Sequence, residues 1–442
     1  MLLPLALIGF MAMWAQTPPK TTGVPAGDWP MYSRDLTSSR FSPLKQITTA
    51  NVGKMKQVWT YRPAAPAAAA GADNAKGAAK GKGKGGGGGA AGVNAAATPI
   101  VVGGVMYVPA GNRVIALDAD TGKEMWAQQI PGTVTSHSVA FWKGDGTNPS
   151  RVLATYGTSM IALNASTGRV DPGFGKEGIV PIEITWGGAP YVYKNLIFIG
   201  NNNGERSDGP VGDTKVYDAK TGKELWRFKT IAQPGDPNHA TWLPTPAGDA
   251  AWKRAGVNTW AWTFTADEAR DLVYMPLASP AGNYFGGDRP GNNLYSTSLV
   301  AVNATTGKMA WYFQLVHHDL WDTDVASPPS LFDVKKDGKV IPALAVISKN
   351  ALMFILNRET GEPIHGVEER PVPKGDVPGE WYSPTQPFPV KPKPLARMSF
   401  NKADDFIRAS DTTPEHVKAC EDLWDRAGGY INLGSVHTVW IS

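Results

Sequence analysis

Residues 301–311 read AVNATTGKMAW: an apolar strand is followed by an Asn-x-x-Thr-Gly turn and a second strand that ends in Trp311. In such a turn the Asn side chain accepts hydrogen bonds from the following backbone, and Gly307 adopts a positive φ without steric cost. The stretch therefore predicts a β-hairpin. Four other stretches repeat the unit: ALDADTGKEMW (116–126), ALNASTGRV (162–170), VYDAKTGKELW (216–226) and ILNRETGEPI (355–364).

The spacing of these units predicts how the hairpins assemble. The turn glycines, at positions 122, 168, 222, 307 and 361, recur mostly about every 50 residues, a period typical of β-propeller blades. The longer interval before Gly307 predicts an insertion near residues 231–258. With a short strand at Gln57–Tyr61 that carries Trp59, the units predict an all-β propeller with about five to six blades.

Composition narrows the function classes. The chain has 442 residues with Gly 49, Pro 36 and Trp 16, a mixture that suits many short strands joined by tight turns. The formal net charge is only +4, and many lysines gather in one low-complexity stretch, so nucleic acid is not expected as a partner. A single cysteine, Cys420, excludes an internal disulfide and a cysteine-based metal cluster.

The chain divides into three predicted regions. Residues 1–15 are an apolar run typical of a signal peptide, so we expect an exported protein. Residues 28–370 carry the blade units, interrupted by an Ala/Gly/Lys-rich loop at 63–97 that we expect to be disordered. Residues 371–442 form a Pro-rich segment and a partial tail with a predicted helix at Pro414–Arg426, and the remaining blades of a closed ring are absent there.

A dense polar stretch, HHDLWD at 317–322, follows the predicted strand Met309–Leu315, and Lys349 ends the next apolar strand. Ionisable groups beside aromatic residues at a strand end indicate a ligand site. Carboxylates after a strand also commonly hydrogen-bond a loop, so both interpretations stay open. Because no His or Cys lies at metal-ligand spacing, His317 and His318 are predicted to be hydrogen-bonding residues and not metal ligands.

The sequence resembles a known family. The repeated Asp/Asn-x-x-Thr-Gly-Lys-x-x-Trp unit resembles the tryptophan-docking motif of quinoprotein dehydrogenases, which use pyrroloquinoline quinone (PQQ). The stretch NYFGGDRPGNNLYSTSLVAVNATTGKMAWYFQLVHHDLWDTD, residues 283–324, is similar to the membrane-type quinoprotein glucose dehydrogenases. The resemblance implies a propeller of the quinoprotein type, which has eight blades in that family, with PQQ and Ca²⁺ near its axis.

The resemblance also implies roles for single residues. Asp322 matches the catalytic base, and Lys349 matches the cation at the reactive quinone carbonyl. Glu205 matches the calcium carboxylate, Asp322 is a further metal ligand, and Ser279 stands where many relatives have a calcium-binding Asn. Alcohol oxidation needs a base, a cation stabilises the reduced quinone oxygen, and Ca²⁺ prefers oxygen ligands. The alternatives are a blade-linking Asp322–Lys349 ion pair and an exposed Glu205–Arg206 loop pair.

Cofactor contacts follow in the same way. Trp260 resembles the indole on which the PQQ ring stacks, and Asn258 lies at a polar cofactor contact together with Lys349. A flat trianion needs an aromatic face and basic or amide donors. His137 stands where relatives have an Arg for a PQQ carboxylate, and Ala96 replaces an acidic or amide residue, so weaker cofactor binding is expected. Plain blade packing remains the alternative for Trp260.

These residues lead to one expected function and two alternatives. The expectation is a periplasmic PQQ- and Ca²⁺-dependent dehydrogenase that oxidises a sugar or alcohol and passes electrons to a quinone or cytochrome, with peripheral membrane association. No CxxCH stretch is present, so no attached haem domain is expected. The alternatives are a non-catalytic propeller scaffold and an inactive fragment that needs a second polypeptide.

Overall fold

The computed structural model describes residues 23–63, 97–135, 137–202, 211–253, 256–372, 374–375, 377–396 and 406–426. The predicted signal peptide at 1–15, almost all of the predicted loop at 63–97, and Glu205 lie outside the described residues.

The strands form antiparallel sheets that follow one another along the chain. Blade 1 contains β1 (Ile100–Val102), β2 (Val105–Ala110), β3 (Arg113–Asp118) and β4 (Glu124–Gln129). Blade 2 contains β5 (Ala140–Trp142), β6 (Arg151–Tyr156), β7 (Ser159–Asn164) and β8 (Ile179–Pro181). Blade 3 contains β9 (Tyr191–Tyr193), β10 (Leu196–Ile199), β11 (Asp213–Asp218) and β12 (Glu224–Lys229).

The later sheets are less regular. Blade 4 contains β13 (Val257–Thr259), β14 (Thr265–Asp267), β15 (Leu272–Pro280), β16 (Ser298–Asn303) and β17 (Met309–Gln314). Blade 5 contains β18 (Ser330–Lys336), β19 (Lys339–Ile347) and β20 (Met353–Asn357). A sixth, two-stranded sheet pairs β21 (Val367–Pro371) with β22 (Thr385–Pro389). The prediction of an all-β, partial propeller with about five to six blades is confirmed.

Apolar cores lie between neighbouring blades. One buried cluster joins blades 1 and 2, the largest joins blades 2, 3 and 4, and another joins blades 4 and 5. Neighbouring blades thus bury apolar faces against each other, and this burial is the main stabilising term of the fold.

Tryptophans link the blades at the predicted turns. The Trp126 ring of blade 1 lies against Gly168 of blade 2, where a Cβ atom would come within 2.6 Å of the indole. The Trp126 Nε1 donates a hydrogen bond to the carbonyl oxygen of Ala165 at 3.0 Å. The same two contacts recur twice: Trp226 with Gly307 and the Ala304 carbonyl, and Trp311 with Gly361 and the Arg358 carbonyl.

The junction between blades 2 and 3 is different, because the unit at 162–170 has no tryptophan. A Cβ atom at Gly222 would meet the Val180 side chain at 2.6 Å instead of an indole. The corresponding carbonyl oxygen, that of Ala219, accepts a hydrogen bond from Arg151 Nη1 at 2.5 Å. The guanidinium also pairs with Asp171 at 2.7 Å. A buried arginine therefore supplies the donor that an indole supplies at the other junctions.

The two ends of the described chain differ in part from the predictions. The predicted strand at Gln57–Tyr61 is wrong, because these residues pair with no strand in the described part. Trp59 nevertheless packs on Gly122 as the other tryptophans pack on their glycines. The helix α1 is confirmed at Pro414–Arg426, and β22 carries sheet structure into the Pro-rich segment that follows residue 371.

The long interval before Gly307 contains irregular backbone. Between β12 and β13, the described residues include only short 3₁₀ turns, at His239–Thr241 and Ala251–Lys253. Trp242 Nε1 donates to the Leu294 carbonyl at 2.5 Å, so this insertion packs on the loop between β15 and β16. In the part of the chain that the structure describes, no helix has the length and apolar character needed to cross a lipid bilayer.

Candidate active site

Three of the residues selected from the sequence meet at one end of blades 4 and 5. Asp322 follows β17, Lys349 follows β19, and Ser279 lies near the end of β15. Lys349 Nζ donates to Asp322 Oδ2 at 2.7 Å. Ser279 Oγ donates to Asp322 Oδ1 at 3.2 Å. The structure therefore brings the predicted base, its cation and one predicted metal ligand into direct contact.

A fourth member of this cluster, Asp324, was missed by sequence reasoning. Its Oδ2 accepts a hydrogen bond from Lys349 Nζ at 2.5 Å. Its Oδ1 accepts from the backbone N–H of Ser279 at 2.9 Å and lies 3.2 Å from Ser279 Oγ. The signal was present in the sequence, since Asp324 stands two residues after Asp322. Two carboxylates at that spacing after a strand end can converge on one cation.

Exposure and charge separate the roles of these groups. The Asp324 side chain is 5% exposed, whereas the Asp322 and Lys349 side chains are 26% and 45% exposed. Burial pushes the pKa of Asp322 upward, but hydrogen bonds from Lys349 and Asn283 outweigh it, so the pKa lies below its ordinary value. Asp322 is therefore an ionised carboxylate that a solute can reach.

The pKa values of the two partners of Asp322 are both raised. Burial, reinforced by the negative charge of Asp322, raises the pKa of Asp324 to about 7, although Lys349 donates to it. Burial lowers the pKa of Lys349, but hydrogen bonds to both carboxylates outweigh it and the pKa lies above its ordinary value. At neutral pH the cluster thus holds one ammonium, one carboxylate at its surface and, behind it, a carboxyl whose pKa is raised by burial.

The two adjacent histidines form hydrogen bonds. His318 is buried, and its Nδ1 lies 2.8 Å from the Gly291 carbonyl and its Nε2 3.5 Å from Glu380. His317 Nδ1 lies 2.7 Å from Gln314 Oε1. Burial lowers the pKa of His318, so the ring is neutral at pH 7. The prediction that these histidines are strand-end hydrogen-bonding residues is confirmed.

The predicted cofactor residues form an aromatic cluster. Trp260 follows β13, and its ring centroid lies 6.2 Å from that of Trp262 with the planes at 21°. Trp262 also stacks on His137 at 4.5 Å and 24°. Burial lowers the pKa of His137, so its ring is uncharged at neutral pH. Trp262, which sequence reasoning did not select, therefore links the two predicted cofactor residues.

Strand pairing connects the aromatic and ionic clusters. β13 pairs with β15, with Val257 opposite Pro280 and Thr259 opposite Leu277, so Asn258 faces the segment that contains Ser279. Asn201 forms an isolated bridge with Thr259 on the other side of β13. The chain that leads to Glu205 therefore departs next to β13, although Glu205 itself is outside the described residues.

The donors fit the cofactors that the resemblance implies. Asp322, Asp324 and Ser279 present oxygen atoms, which are the ligands of Ca²⁺. Within the described ranges, no group of three His, Cys, Asp or Glu side chains is arranged around a metal position, so a calcium ion here would need further oxygens. The indole of Trp260 and the ammonium of Lys349 suit a flat anionic ring system.

The chain is similar to known proteins. The PQQ glucose/ethanol/alcohol dehydrogenase β-propeller domain model matches residues 29–432. The glycerol dehydrogenase large subunit of Gluconobacter thailandicus is 32% identical over 458 residues, which cover 97% of this chain and 58% of that protein. Quinoprotein glucose dehydrogenase A of Acinetobacter calcoaceticus is 32% identical over 420 residues, which cover 84% of this chain and 49% of that protein.

Solved structures agree with the sequence relatives. The quinohemoprotein alcohol dehydrogenase of Comamonas testosteroni has a TM-score of 0.62 at 27% identity, covering 82% of this chain and 52% of that chain. The chain spans about half the length of the curated relatives it matches. The resemblance to quinoprotein dehydrogenases is confirmed, and the chain belongs to the PQQ-dependent glucose/ethanol/alcohol dehydrogenase family through its β-propeller domain.

Proposed function

We propose that the chain is a PQQ- and Ca²⁺-dependent dehydrogenase that oxidises a hydroxyl group of a sugar or alcohol. The observation that carries the proposal is the contact of Lys349 Nζ with Asp322 Oδ2 at 2.7 Å, in a cluster where both side chains reach the surface. Family membership supports a redox reaction on a hydroxyl, and this cluster supplies the base and the cation that such a reaction needs.

Asp322 acts as the base. Oxidation removes a hydride from the carbon and a proton from the hydroxyl oxygen of the substrate. A carboxylate held ionised at neutral pH can accept that proton. Hydrogen bonds from Lys349 and Ser279 fix the carboxylate of Asp322 from two sides. Its remaining exposure leaves room for a substrate hydroxyl within hydrogen-bond distance.

Lys349 acts as the fixed cation. When bound, PQQ would supply the two-electron oxidant, and Lys349 would be the residue that faces its reactive carbonyl. An ammonium placed in advance stabilises developing negative charge without reorganisation. Asp324 holds the Lys349 ammonium from its buried side at 2.5 Å, so the cation is oriented before any cofactor arrives.

The other selected residues complete the proposed site. Trp260 supplies an aromatic face for PQQ, and Asn258 and His137 supply polar contacts at its edge. For Ca²⁺ we assign Glu205, Ser279 and Asp322, with Asp324 as an added oxygen donor. We further propose that the protein is exported to the periplasm and associates peripherally with the membrane, where a quinone or cytochrome would be the electron acceptor.

Turnover by the full chain tests this function. The protein is incubated with PQQ and CaCl₂, and reduction of an artificial electron-accepting dye is followed with glucose, glycerol and ethanol. We expect substrate-dependent reduction that requires PQQ and is lost after chelation of Ca²⁺ and restored by its return. Absence of turnover with every substrate, in protein that retains PQQ on dialysis, contradicts the proposed activity.

A non-catalytic propeller scaffold is the second candidate. It is favoured by one observation: His137, which stands where relatives have an Arg, is uncharged at neutral pH and stacks on Trp262. Equilibrium dialysis against PQQ separates the two. A dehydrogenase retains about one PQQ per chain, and the Trp260→Ala variant retains less because an aromatic stacking surface is lost. A scaffold retains none in either form.

A further inference from the structure

We propose that Asp319 is a positioning residue for this site: its buried carboxylate holds the backbone on both sides of Asp322 and thereby orients the carboxylate of Asp322 toward Lys349. The proposal rests on the role proposed above for Asp322 as the base.

The conformation of Asp322 needs support. Asp322 has φ +53°, in the left-handed region, where a non-glycine residue costs about 1 kcal/mol or more. His318, four residues earlier, has φ +47°. A turn with two left-handed residues persists only where surrounding contacts fix it.

One carboxylate provides these contacts. Asp319 Oδ1 accepts a hydrogen bond from the backbone N–H of Trp321 at 2.9 Å. Its Oδ2 accepts from the backbone N–H of Thr323 at 3.0 Å. Trp321 and Thr323 are the two neighbours of Asp322, so the backbone N–H groups of the residues on either side of the proposed base are tied to one side chain. Rotation of the Asp322 backbone into the ordinary region would move the Thr323 N–H relative to the Trp321 N–H, so one carboxyl group could no longer accept both bonds.

The position of Asp319 excludes a direct part in the chemistry. Its side chain is fully buried, with 0% exposure, and no substrate can reach it. A third hydrogen bond comes from Thr297 Oγ1 at 2.9 Å. The buried guanidinium of Arg289 donates to the Asp319 carbonyl at 2.6 Å and supplies the nearby positive charge. A buried carboxylate with this set of donors is held in place and acts only through the backbone that it binds.

The repeated turns show what an ordinary turn carboxylate does. Asp118 Oδ1 accepts the backbone N–H of Thr121 at 2.8 Å and its hydroxyl at 2.7 Å, closing its own exposed hairpin. Asn164 and Asn303 do the same at equivalent positions, so an amide replaces the acid there. Asp319 differs because both of its oxygens are used on the two sides of one residue.

This difference defines the variant. In Asp319→Asn the side chain keeps its size, but one oxygen becomes an NH₂ donor that faces a backbone N–H. One of the two bonds next to Asp322 is lost, and the turn relaxes. Asp118→Asn is the matched control because Asn already serves in other units. Asp171→Asn, which removes the charge paired with buried Arg151 in blade 2, is a second control for general loss of stability.

The experiment has two readouts on the full chain. Hydrogen–deuterium exchange of peptides covering 319–325 is measured without cofactor, and kcat, KM and PQQ retention are measured with PQQ and CaCl₂. We expect Asp319→Asn to speed exchange at Trp321 and Thr323 and to lower kcat ~10- to 100-fold, as expected for a misplaced reacting group. KM and PQQ retention should stay within about twofold, and neither control should reproduce the pattern.

A double variant sharpens the result. If Asp319 acts through Asp322, then Asp319→Asn adds no loss of activity in the Asp322→Asn background. A further loss there, a parallel loss of PQQ retention, or an equal loss of kcat in Asp171→Asn would overturn the proposal. Unchanged exchange in 319–325 would also overturn it, and this readout decides even if the wild-type chain shows no turnover and the proposed function fails.

Discussion

The two ends of blades 4 and 5 are built on different principles. At one end, β16 and β17 are joined by the repeated turn after Asn303, and β20 ends at the equivalent Asn357. Strand register places the ends of β15 and β19, with Ser279 and Lys349 beyond or near them, at the opposite end. The turn end repeats one chemistry five times along the chain, whereas the opposite end carries the cluster around Asp322 only once.

The turn end stabilises the fold, and the opposite end carries the proposed function. The four repeated turns of blades 2 to 5 each use a local Asx cap, a positive-φ glycine and a donor from the preceding blade, whether that donor is a tryptophan such as Trp226 or Arg151. At the opposite end, loops of unequal length bring Ser279, Asp322 and Lys349 together. Variants at the turn end should therefore change stability and leave the site intact, and variants of the exposed site groups at the opposite end should chiefly change activity.

The largest expected effect on stability is at the junction that lacks a tryptophan. Arg151→Met should lower the free energy of unfolding by about 3–5 kcal/mol, because the buried carbonyl of Ala219 loses its donor and Asp171 loses its cation. Urea unfolding followed by tryptophan fluorescence measures this loss, with exposed Arg169→Met as the control. A loss below about 1 kcal/mol, at the level of a surface substitution, would contradict the role assigned to Arg151.

The next effect should appear in activity and not in stability. Lys349→Met removes the cation between Asp322 and Asp324, and we expect kcat to fall about 10²–10³-fold, the cost of removing one preorganised electrostatic donor. Lys339→Met, an exposed change at the start of the same strand β19, is the control. Full activity in Lys349→Met would show that the contact is only a link between blades.

Asp324 should make the stability of the free protein depend on pH. Its folded pKa is raised to about 7 from an unfolded value near 3.8. The stability that its protonated form contributes is therefore present below the unfolded pKa and lost as pH rises to about 7. Melting temperatures of wild type and Asp324→Asn between those limits measure the effect. The variant should lack this decline, and an identical pH dependence in both proteins would contradict the raised pKa.

The smallest effect should come from an indole hydrogen bond. Trp311→Phe keeps an aromatic ring against Gly361 but removes the bond from Nε1 to the Arg358 carbonyl. We expect a loss of about 1 kcal/mol, the net value of one buried hydrogen bond. Met309→Leu, exposed on the same strand, is the control for this denaturation measurement. A loss as large as that of Arg151→Met would erase the distinction between the two kinds of junction.

The fold could be predicted because its decisive signals are local. The turn at Asn303–Lys308 is fixed by side chains within a few residues, so the sequence predicts the hairpin. The strand at Gln57–Tyr61 was predicted wrongly for the opposite reason. A strand needs a hydrogen-bonded neighbour, and the docking of Trp59 on Gly122 does not provide one.

The site could be predicted only in part. Spacing alone left Asp322 and Lys349 open to a blade-linking interpretation, and the family resemblance selected them. Asp324 and Trp262 were missed because their contacts, with Ser279 and with His137, join residues far apart in the chain. Arg151 was missed for the same reason, because nothing in the sequence of β6 indicates the carbonyl oxygen of blade 3 to which it donates a hydrogen bond.

Single-turnover reduction of bound PQQ tests most directly whether Asp322 accepts the substrate proton. Protein loaded with PQQ and Ca²⁺ is mixed with substrate, and the cofactor absorbance is followed by stopped flow for wild type, Asp322→Asn and the control Asp337→Asn. Asp337 is an exposed turn residue with φ +51°, close to that of Asp322. We predict that Asp322→Asn retains PQQ but reduces it about 10²–10⁴-fold more slowly, whereas Asp337→Asn matches wild type. Equal rates in wild type and Asp322→Asn would contradict the claim.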